Sequence, residues 1–475
     1  MTRTNDFTSG SIFMPLLRFS LPILAALILQ TAYGAVDLWM VSTYATAADV
    51  SAVSTGSQLL NTITQILVGL TTGTTVLLGQ TLGQRKSEEA GTVIGGSIAL
   101  FGVLAAGLTL FTVCGANMMS VITQVPAEAF VPTVVYIRTC GVGLVFITAY
   151  NVFGSIFRGI GDSETPLLTV FIACIVNIVG DYVLVAVLGL GAFGAAIATM
   201  AAQGISVLVS LSVVRRRGLP FSFSGKDIIL RSRQVVQVLR MGAPVALQSG
   251  LVSISFLVVM SIINSLGLVF SAGMGVAEKL CGFIMLVPTA FSQSVTTFVA
   301  QNMGAGRLDR ARRGLGQGIL ASLCFGIVIG CLAFFRGDLL AMLFNKNPEI
   351  VAAAADYLKA YAIDTLLTSF LFPFTGYFSG MGKTGFGMVQ GLIGAFCIRI
   401  PVSFLMSKIA PVSLFRIGLA TPSSTLVQII LCGLYFFWLE KRTKPPKLSP
   451  PKNRSLPLRI CERGGWLFLA SKGKS

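Results

Sequence analysis

The chain of 475 residues contains no histidine. That removes imidazole bases, imidazole metal ligands and imidazole proton relays together, and leaves carboxylates to carry protons near neutral pH. Charge of either sign is scarce. Asp, Glu, Lys and Arg make up 11% of the residues, against about 25% in soluble domains. With 54% hydrophobic residues and a mean hydropathy of +0.82, the chain cannot cover itself with polar groups in water, which excludes a soluble multidomain enzyme. The apolar runs are long and continuous rather than alternating over segments of about 10 residues, which excludes a transmembrane β-barrel. The nine cysteines are scattered with no CxxC pair, so they read as small apolar residues of helices. No G-x-x-x-x-G-K-[ST] phosphate loop occurs, so the chain offers no site for ATP drive. Without histidine, metal-ligand spacing or a long catalytic loop, an enzyme is not expected.

What is present is a series of apolar runs, each long enough to cross a bilayer at about 20 residues. Twelve are expected, centred near Leu27, Leu67, Val103, Leu144, Ile175, Ala202, Leu257, Pro288, Phe325, Leu367, Ala395 and Ile429. The first, from Leu21 to Val41, is too long for a signal-peptide core and counts as a span. The basic residues sort by side. Arg85-Lys86, Arg158, Arg215 to Arg240, Arg307 to Arg313, Lys383 and the tail from Lys441 fall in alternate connections or at the termini. The opposite loops hold only Arg336, Lys346, Lys408 and Arg416. By the positive-inside rule the formal charge of +17 reports membrane orientation rather than nucleic-acid binding. Both termini are expected to be cytoplasmic, in the plasma (inner) membrane. The segment 443–475, rich in Pro and basic residues, reads as a disordered tail in which Trp466 could touch the membrane surface.

The chain repeats itself. Gln80-Thr81-Leu82-Gly83 returns as Gln301-Asn302-Met303-Gly304, Phe157-Arg158-Gly159-Ile160-Gly161 as Phe378-Ser379-Gly380-Met381-Gly382, and Arg18 to Pro22 as Arg240 to Pro244. Matches in one order at one spacing imply duplicated halves. Six spans per half insert the same way round, so the fold class is an all-α polytopic membrane protein. Its two six-helix lobes are related by a pseudo-twofold axis along the membrane normal, as in parallel-repeat transporters. The expected division is 1–214, amino lobe; 215–240, inter-lobe linker; 241–442, carboxy lobe; and 443–475, tail.

A carboxylate at a helix centre costs about 2.5–3.5 kcal/mol on insertion scales, so each is a functional candidate. Helix 1 carries Gln30, Tyr33 and Asp37 on one face, and helix 5 carries Asn177 and Asp181 one turn apart. Helix 6 carries Thr199, Gln203, Ser206 and Ser210, and helix 2 carries Gln58, Thr62 and Gln65. The second half has no equivalent acids. Asp37 maps to Val258 or Val259 and Asp181 to Val402, which confines the acidic site to one lobe. Asp364 and Arg399 read as structural charges that pair within the second lobe. Glu278 and Lys279, adjacent on helix 8, do not face each other. Two carboxylates with Asn and Thr oxygens can hold a proton or a hard cation such as Na⁺.

On these residues the chain resembles the multidrug and toxic compound extrusion (MATE) family over about residues 10 to 440. The pattern Asp37, Asn177-x-x-x-Asp181 and Thr199 is similar to the amino-lobe cation site of its DinF-like branch. The resemblance implies a secondary active exporter of bulky, amphiphilic, cationic compounds, driven by inward H⁺ or Na⁺ bound at Asp37, Asn177, Asp181 and Thr199. It implies that Gln30 and Tyr33 line the substrate cavity; Gln58, Gln65 and Gln203 are added here as substrate-binding candidates. The expected partners are amphiphilic small molecules and membrane lipid, with no cofactor beyond the coupling ion, no nucleic acid and a monomeric state. Helix 7 lacks the carboxylate of the NorM branch. The alternative is a flippase for lipid-linked oligosaccharides or lipids. Such a protein would line its cavity with basic residues, whereas here Arg138 is one of few candidates.

Overall fold

The computed structural model describes residues 6–443. The tail from Lys444, with Trp466, lies outside them. The first lobe comprises α1 (Phe13–Tyr44), α2 (Ala47–Gly83), α3 (Ser87–Ile122), α4 (Ala127–Gly159), α5 (Glu164–Asp181, continued by a π-helical turn Tyr182–Val187) and α6 (Gly191–Arg217). The second comprises α7 (Arg233–Asn264), α8 (Leu268–Ile284) and α9 (Leu286–Gly304) as one broken span, α10 (Leu308–Met342) and α11 (Pro348–Gly380). It ends with α12 (Thr384–Leu392), a π-helical segment Ile393–Arg399 and α13 (Ile400–Ser407), then the short α14 (Leu414–Gly418) and α15 (Ala420–Thr443). No strand occurs among the described residues.

Eleven of these spans are long and apolar enough to cross a bilayer. The twelfth, α11, is 33 residues long but carries Glu349, Asp356, Lys359 and Asp364. The expected centres all fall inside helices. The linker is shorter than expected: α6 runs through Arg215-Arg216-Arg217 and α7 begins at Arg233, leaving 218–232 between them. The arginines prolong the helix because cations suit the negative end of its dipole. Residues up to Cys432 pack as one compact unit. From Gly433 a second, small unit holds Tyr435 stacked on Trp438 and the Arg442 guanidinium over the Trp438 ring.

Local chemistry sets the helix ends. Thr46 and Asp49 form a reciprocal capping box at the start of α2, and Asp49 also accepts from the Ala192 N–H (3.0 Å), tying that start to α6. Asn347 caps α11 ahead of Pro348, a residue whose fixed φ suits the first turn. The repeated motifs are helix stops. The ends of α2, α4, α9 and α11 share one pattern, with Arg85, Gly161, Gly306 and Gly382 at positive φ. In each, the next N–H reaches back five residues: Lys86 to Thr81, Asp162 to Phe157, Arg307 to Asn302 and Lys383 to Phe378. This double-bonded C-terminal cap satisfies carbonyls that a helix end leaves without partners inside the helix.

The same motifs join the lobes. Gln80 Nε2 donates to the Gly380 carbonyl (2.9 Å), and its repeat mate Gln301 donates to the Gly159 carbonyl (3.2 Å). Gly159 and Gly380 are themselves repeat mates, so the clasp is reciprocal about the pseudo-twofold axis. The helices can cross this closely because Gly83 and Gly304 lack side chains. A Cβ on Gly83 would strike the Gln301 carbonyl, and one on Gly304 the Gln80 carbonyl. Further along, Gly69 and Gly73 of α2 face Ala246, Gly242 and Val238 of α7 in the same backbone-to-backbone manner, the small-residue packing expected where no hydrophobic force acts between helices.

Placing a side chain at Gly83 or Gly304 is therefore expected to destabilise the inter-lobe contact, by roughly 1–3 kcal/mol for an overpacked site. Gly83→Leu and Gly304→Leu should lower the Tm of the purified protein. Gly107→Leu, at a position with no atom within 4 Å of a Cβ, should leave it unchanged. Equal Tm for all three would contradict the packing account.

Candidate ion-coupling site

Three helices converge inside the first lobe. Asp37 of α1 is 6% exposed, and Asn177 and Asp181 of α5 are fully buried. Asn177 Nδ2 donates to Asp37 Oδ1 (3.1 Å), and Thr199 Oγ1 of α6 lies 3.1 Å from Asp37 Oδ2. The Thr199 hydroxyl is also 2.9 Å from the Ala195 carbonyl. With one proton it serves one acceptor at a time, and when it serves Ala195 its lone pairs face the carboxylate. The Asp181 and Asp37 carboxylates lie close enough to act on each other electrostatically. Both Asp181 oxygens and Asn177 Oδ1 are buried with no donor. The site is thus rich in oxygen acceptors and short of protons.

The backbone departs from regular α-helix next to the site, where α5 turns π-helical at Tyr182 immediately after Asp181. Such turns recur at functional sites. Above Asp37 on the same face of α1, Tyr33 Oη accepts from Gln203 Nε2 (3.2 Å) and Gln30 Nε2 donates to Tyr150 Oη (2.8 Å). Gln203 Oε1 is buried without a donor.

Of the residues expected from the sequence, the structure brings together Asp37, Asn177, Asp181 and Thr199, with Gln30, Tyr33 and Gln203 adjoining. Gln58 and Gln65 are not joined to them by any hydrogen bond; both are exposed on α2. Tyr150 was not among the expected residues, nor were Tyr136 and Cys140 of α4, which lie within electrostatic range of Asp37. Their positions on the site-facing side of α4 depend on how that helix packs, which periodicity in an all-apolar span does not reveal. Arg138 is exposed on α4.

The second lobe is built otherwise. Its π-helical segment, Ile393–Arg399, precedes the position matching Asp181, whereas that of the first lobe follows Asp181. Arg399 ends that segment, and Val402 and Ser403 lie in α13 just after it. Arg399 donates to Ser255 Oγ (3.0 Å) and its guanidinium lies 4.2 Å from the Phe256 ring centre. Arg399 and Asp364 attract each other within the second lobe, as expected, but through space: Asp364 Oδ1 and Arg399 Nε are both buried without hydrogen-bond partners. Glu278 and Lys279 are exposed on α8, with Lys279 Nζ 6.0 Å from the centre of the Phe344 ring.

Twelve spans in two lobes, with a buried acid cluster in one of them, define a polytopic membrane transporter. The MatE family pattern matches residues 22–183 and again 244–405, and the chain belongs to that family, the multidrug and toxic compound extrusion transporters. It is not an enzyme. It is similar to a probable multidrug resistance protein, YpnP, of Bacillus subtilis strain 168 (26% identity; 94% of this chain and 99% of that one). It is also similar to a protein of Shewanella oneidensis MR-1 named FAD transporter (25% identity; 94% and 98%). A solved structure described as the outward-facing conformation of a multidrug resistance MATE family transporter superposes with a TM-score of 0.86 at 20% identity, over 93% of this chain and 99% of that one.

Buried acceptors without donors cost about 1–3 kcal/mol each. Asp181→Asn gives Asp37 a donor and removes a buried carboxylate, so this variant is expected to have a higher Tm than the parent protein, measured at neutral pH without Na⁺. A lower Tm would show that the Asp181 oxygens are already satisfied.

Proposed function

We propose that the protein is a secondary active exporter that couples inward movement of H⁺ or Na⁺ to efflux of amphiphilic, cationic compounds by alternating access. One observation carries this reading: Asp181 Oδ1, Asp181 Oδ2 and Asn177 Oδ1, all buried and all without donors, sit beside the Asp37 carboxylate. Two carboxylates in a low-dielectric interior need a proton or a cation between them. Either ion, moving inward down a potential of 100 mV, supplies about 2.3 kcal/mol per charge before any concentration gradient is added.

The coupling follows from where the groups sit. Asp37 is on α1; Asn177 and Asp181 are on α5. An ion arriving between them draws α1 toward α5, and an ion leaving lets α1 relax. Gln30 and Tyr33 ride on the same face of α1, so their contacts with Tyr150 and Gln203 change with the state of the acid pair. Substrate and ion then compete through one helix, as antiport requires. A site of uncompensated acceptors favours cationic substrates, and the scarcity of basic side chains in this lobe argues against the flippase alternative, whose anionic headgroup needs them. We also place the basic face of the bundle in the cytoplasm and the chain in the plasma (inner) membrane, on the positive-inside rule, with the two expected lobes, 1–214 and 241–442, rocking as units. A monomer suffices, because both halves of the transport pathway lie in one chain.

The test is transport by the purified protein in vesicles with an imposed H⁺ or Na⁺ gradient, with ethidium and a set of anionic and neutral amphiphiles as substrates. Gradient-driven ethidium transport is expected in the parent protein and is expected to vanish in Asp37→Asn and in Asp181→Asn. Full gradient dependence in both variants would refute the coupling site, and transport of anionic amphiphiles alone would favour the flippase.

A further inference from the structure

The residues just ahead of α1 are bound by the other lobe. Phe7 is 1% exposed, its ring 5.1 Å from that of Phe19 on α1 and 5.5 Å from that of Phe298 on α9. Its N–H donates to Gln301 Oε1 (3.3 Å), and its carbonyl accepts from Asn302 Nδ2 (3.1 Å) and Arg310 Nε (2.8 Å). Arg310 then donates to three more carbonyls: Nη1 to Gly10 (2.7 Å), and Nη2 to Ser9 (2.6 Å) and Ser11 (3.1 Å). Arg307 donates to the Thr8 carbonyl. A single guanidinium reading four main-chain carbonyls, around a buried aromatic anchor, is a built binding site for a tightly turned peptide segment, and residues 6–11 of the same chain fill it.

The site meets the inter-lobe clasp at one side chain. Gln301 uses Nε2 for the Gly159 carbonyl of the first lobe and Oε1 for the N–H of Phe7. Docking of the segment therefore fixes which way the Gln301 amide points and so keeps its clasp bond made. Asp6 adds charge from both lobes, because Arg85 of the first and Arg307 of the second act on its carboxylate. Beside it lies a cavity of about 490 Å³ lined by Asp6, Thr8, Gln84, Arg85, Gln301 and Arg307 among others.

We propose that residues 6–11 form a strap across the basic face, held by Gln301, Asn302, Arg307 and Arg310, that locks this end of the inter-lobe cleft shut and has to leave its site before that end can open. The segment is covalently part of α1 and non-covalently part of α9 and α10, so separating the lobes at this face breaks its bonds. The inference stands on the fold and does not depend on the coupling ion or the substrate. Its trigger is not acid. The Thr8 hydroxyl and amide bonds, with Arg85 and Arg307 facing, hold the Asp6 carboxyl below its ordinary value. The charged form persists below about pH 4, and its contribution is lost only as pH falls through that lowered value.

Hydrogen exchange read by mass spectrometry on the full-length protein in nanodiscs tests the strap. In Phe7→Ala and in Arg310→Ala, segments 78–86 and 299–307 are expected to exchange at least roughly tenfold faster, the scale set by losing hydrogen bonds to a charged group, while α3 exchanges as in the parent protein. Arg310→Lys keeps the charge but not the fork, and an intermediate rate is expected. Parent-like exchange of both segments in either alanine variant would overturn the proposal. Where a variant loosens α3 as well, Arg310→Lys decides: faster exchange confined to the two segments supports the strap, and unchanged exchange overturns it.

Discussion

The amide of Gln80 on the carbonyl of Gly380, and that of Gln301 on Gly159, is the contact on which the rest of the molecule hangs. It forms only because each glutamine lies one turn before a glycine that lets two backbones cross, and because each partner glycine ends a helix whose last carbonyls are free. One duplicated solution, a helix stop that also serves as an acceptor, thus closes the helices and joins the lobes; in the proposed reading it also seals one end of the space between them. The rest of the cleft is left free to work.

Symmetry at the clasp makes the asymmetry elsewhere informative. The first lobe buries two carboxylates, an amide and a hydroxyl together, whereas the second buries Arg399, a resident cation stacked on Phe256. The guanidinium gives the second lobe a permanent buried charge, where in the proposed reading the first lobe holds a transient one. A transporter with one exchangeable site and one fixed counterpart has a single ion-dependent switch. In the proposed reading that switch is α1, the helix that carries Asp37 at one end and continues into the strap at the other. The two ends of α1 therefore report on opposite ends of the cleft.

Much of this was legible in the sequence, and the reasons differ by feature. The spans were legible because length and apolarity are local properties. Asp37, Asn177, Asp181 and Thr199 were legible because buried polar residues in apolar helices stand out one by one, and turn-spaced pairs share a face. The repeat was legible, but its role was not: Gln80 and Gly83 marked a family resemblance, and only the folded chain shows them as a helix stop and a crossing point. That Tyr150 joins the site, and that Gln58 and Gln65 make no hydrogen bond to it, was hidden for one reason. A helix wheel says which residues share a face and not which face meets a neighbour. The π-helical turns after Asp181 and before Ile400 have no residue signature, so they were invisible in the sequence. The strap was hidden twice, because residues 6–11 have no periodicity and Arg307 to Arg313 already had a sufficient explanation as orientation signals. Partners nearly 300 positions apart leave no trace in either segment alone.

The central claim is that the acid pair exchanges its ion against substrate. The most direct measurement is the number of ions released when a cationic substrate such as ethidium binds the purified protein, followed by pH indicator in weakly buffered solution and by a Na⁺-sensitive probe in parallel. Close to one H⁺ or Na⁺ is expected to be released per substrate bound by the parent protein and none by Asp181→Asn. Substrate binding by the parent protein with no release of either ion, across pH 5 to 9 and with or without Na⁺, would contradict it.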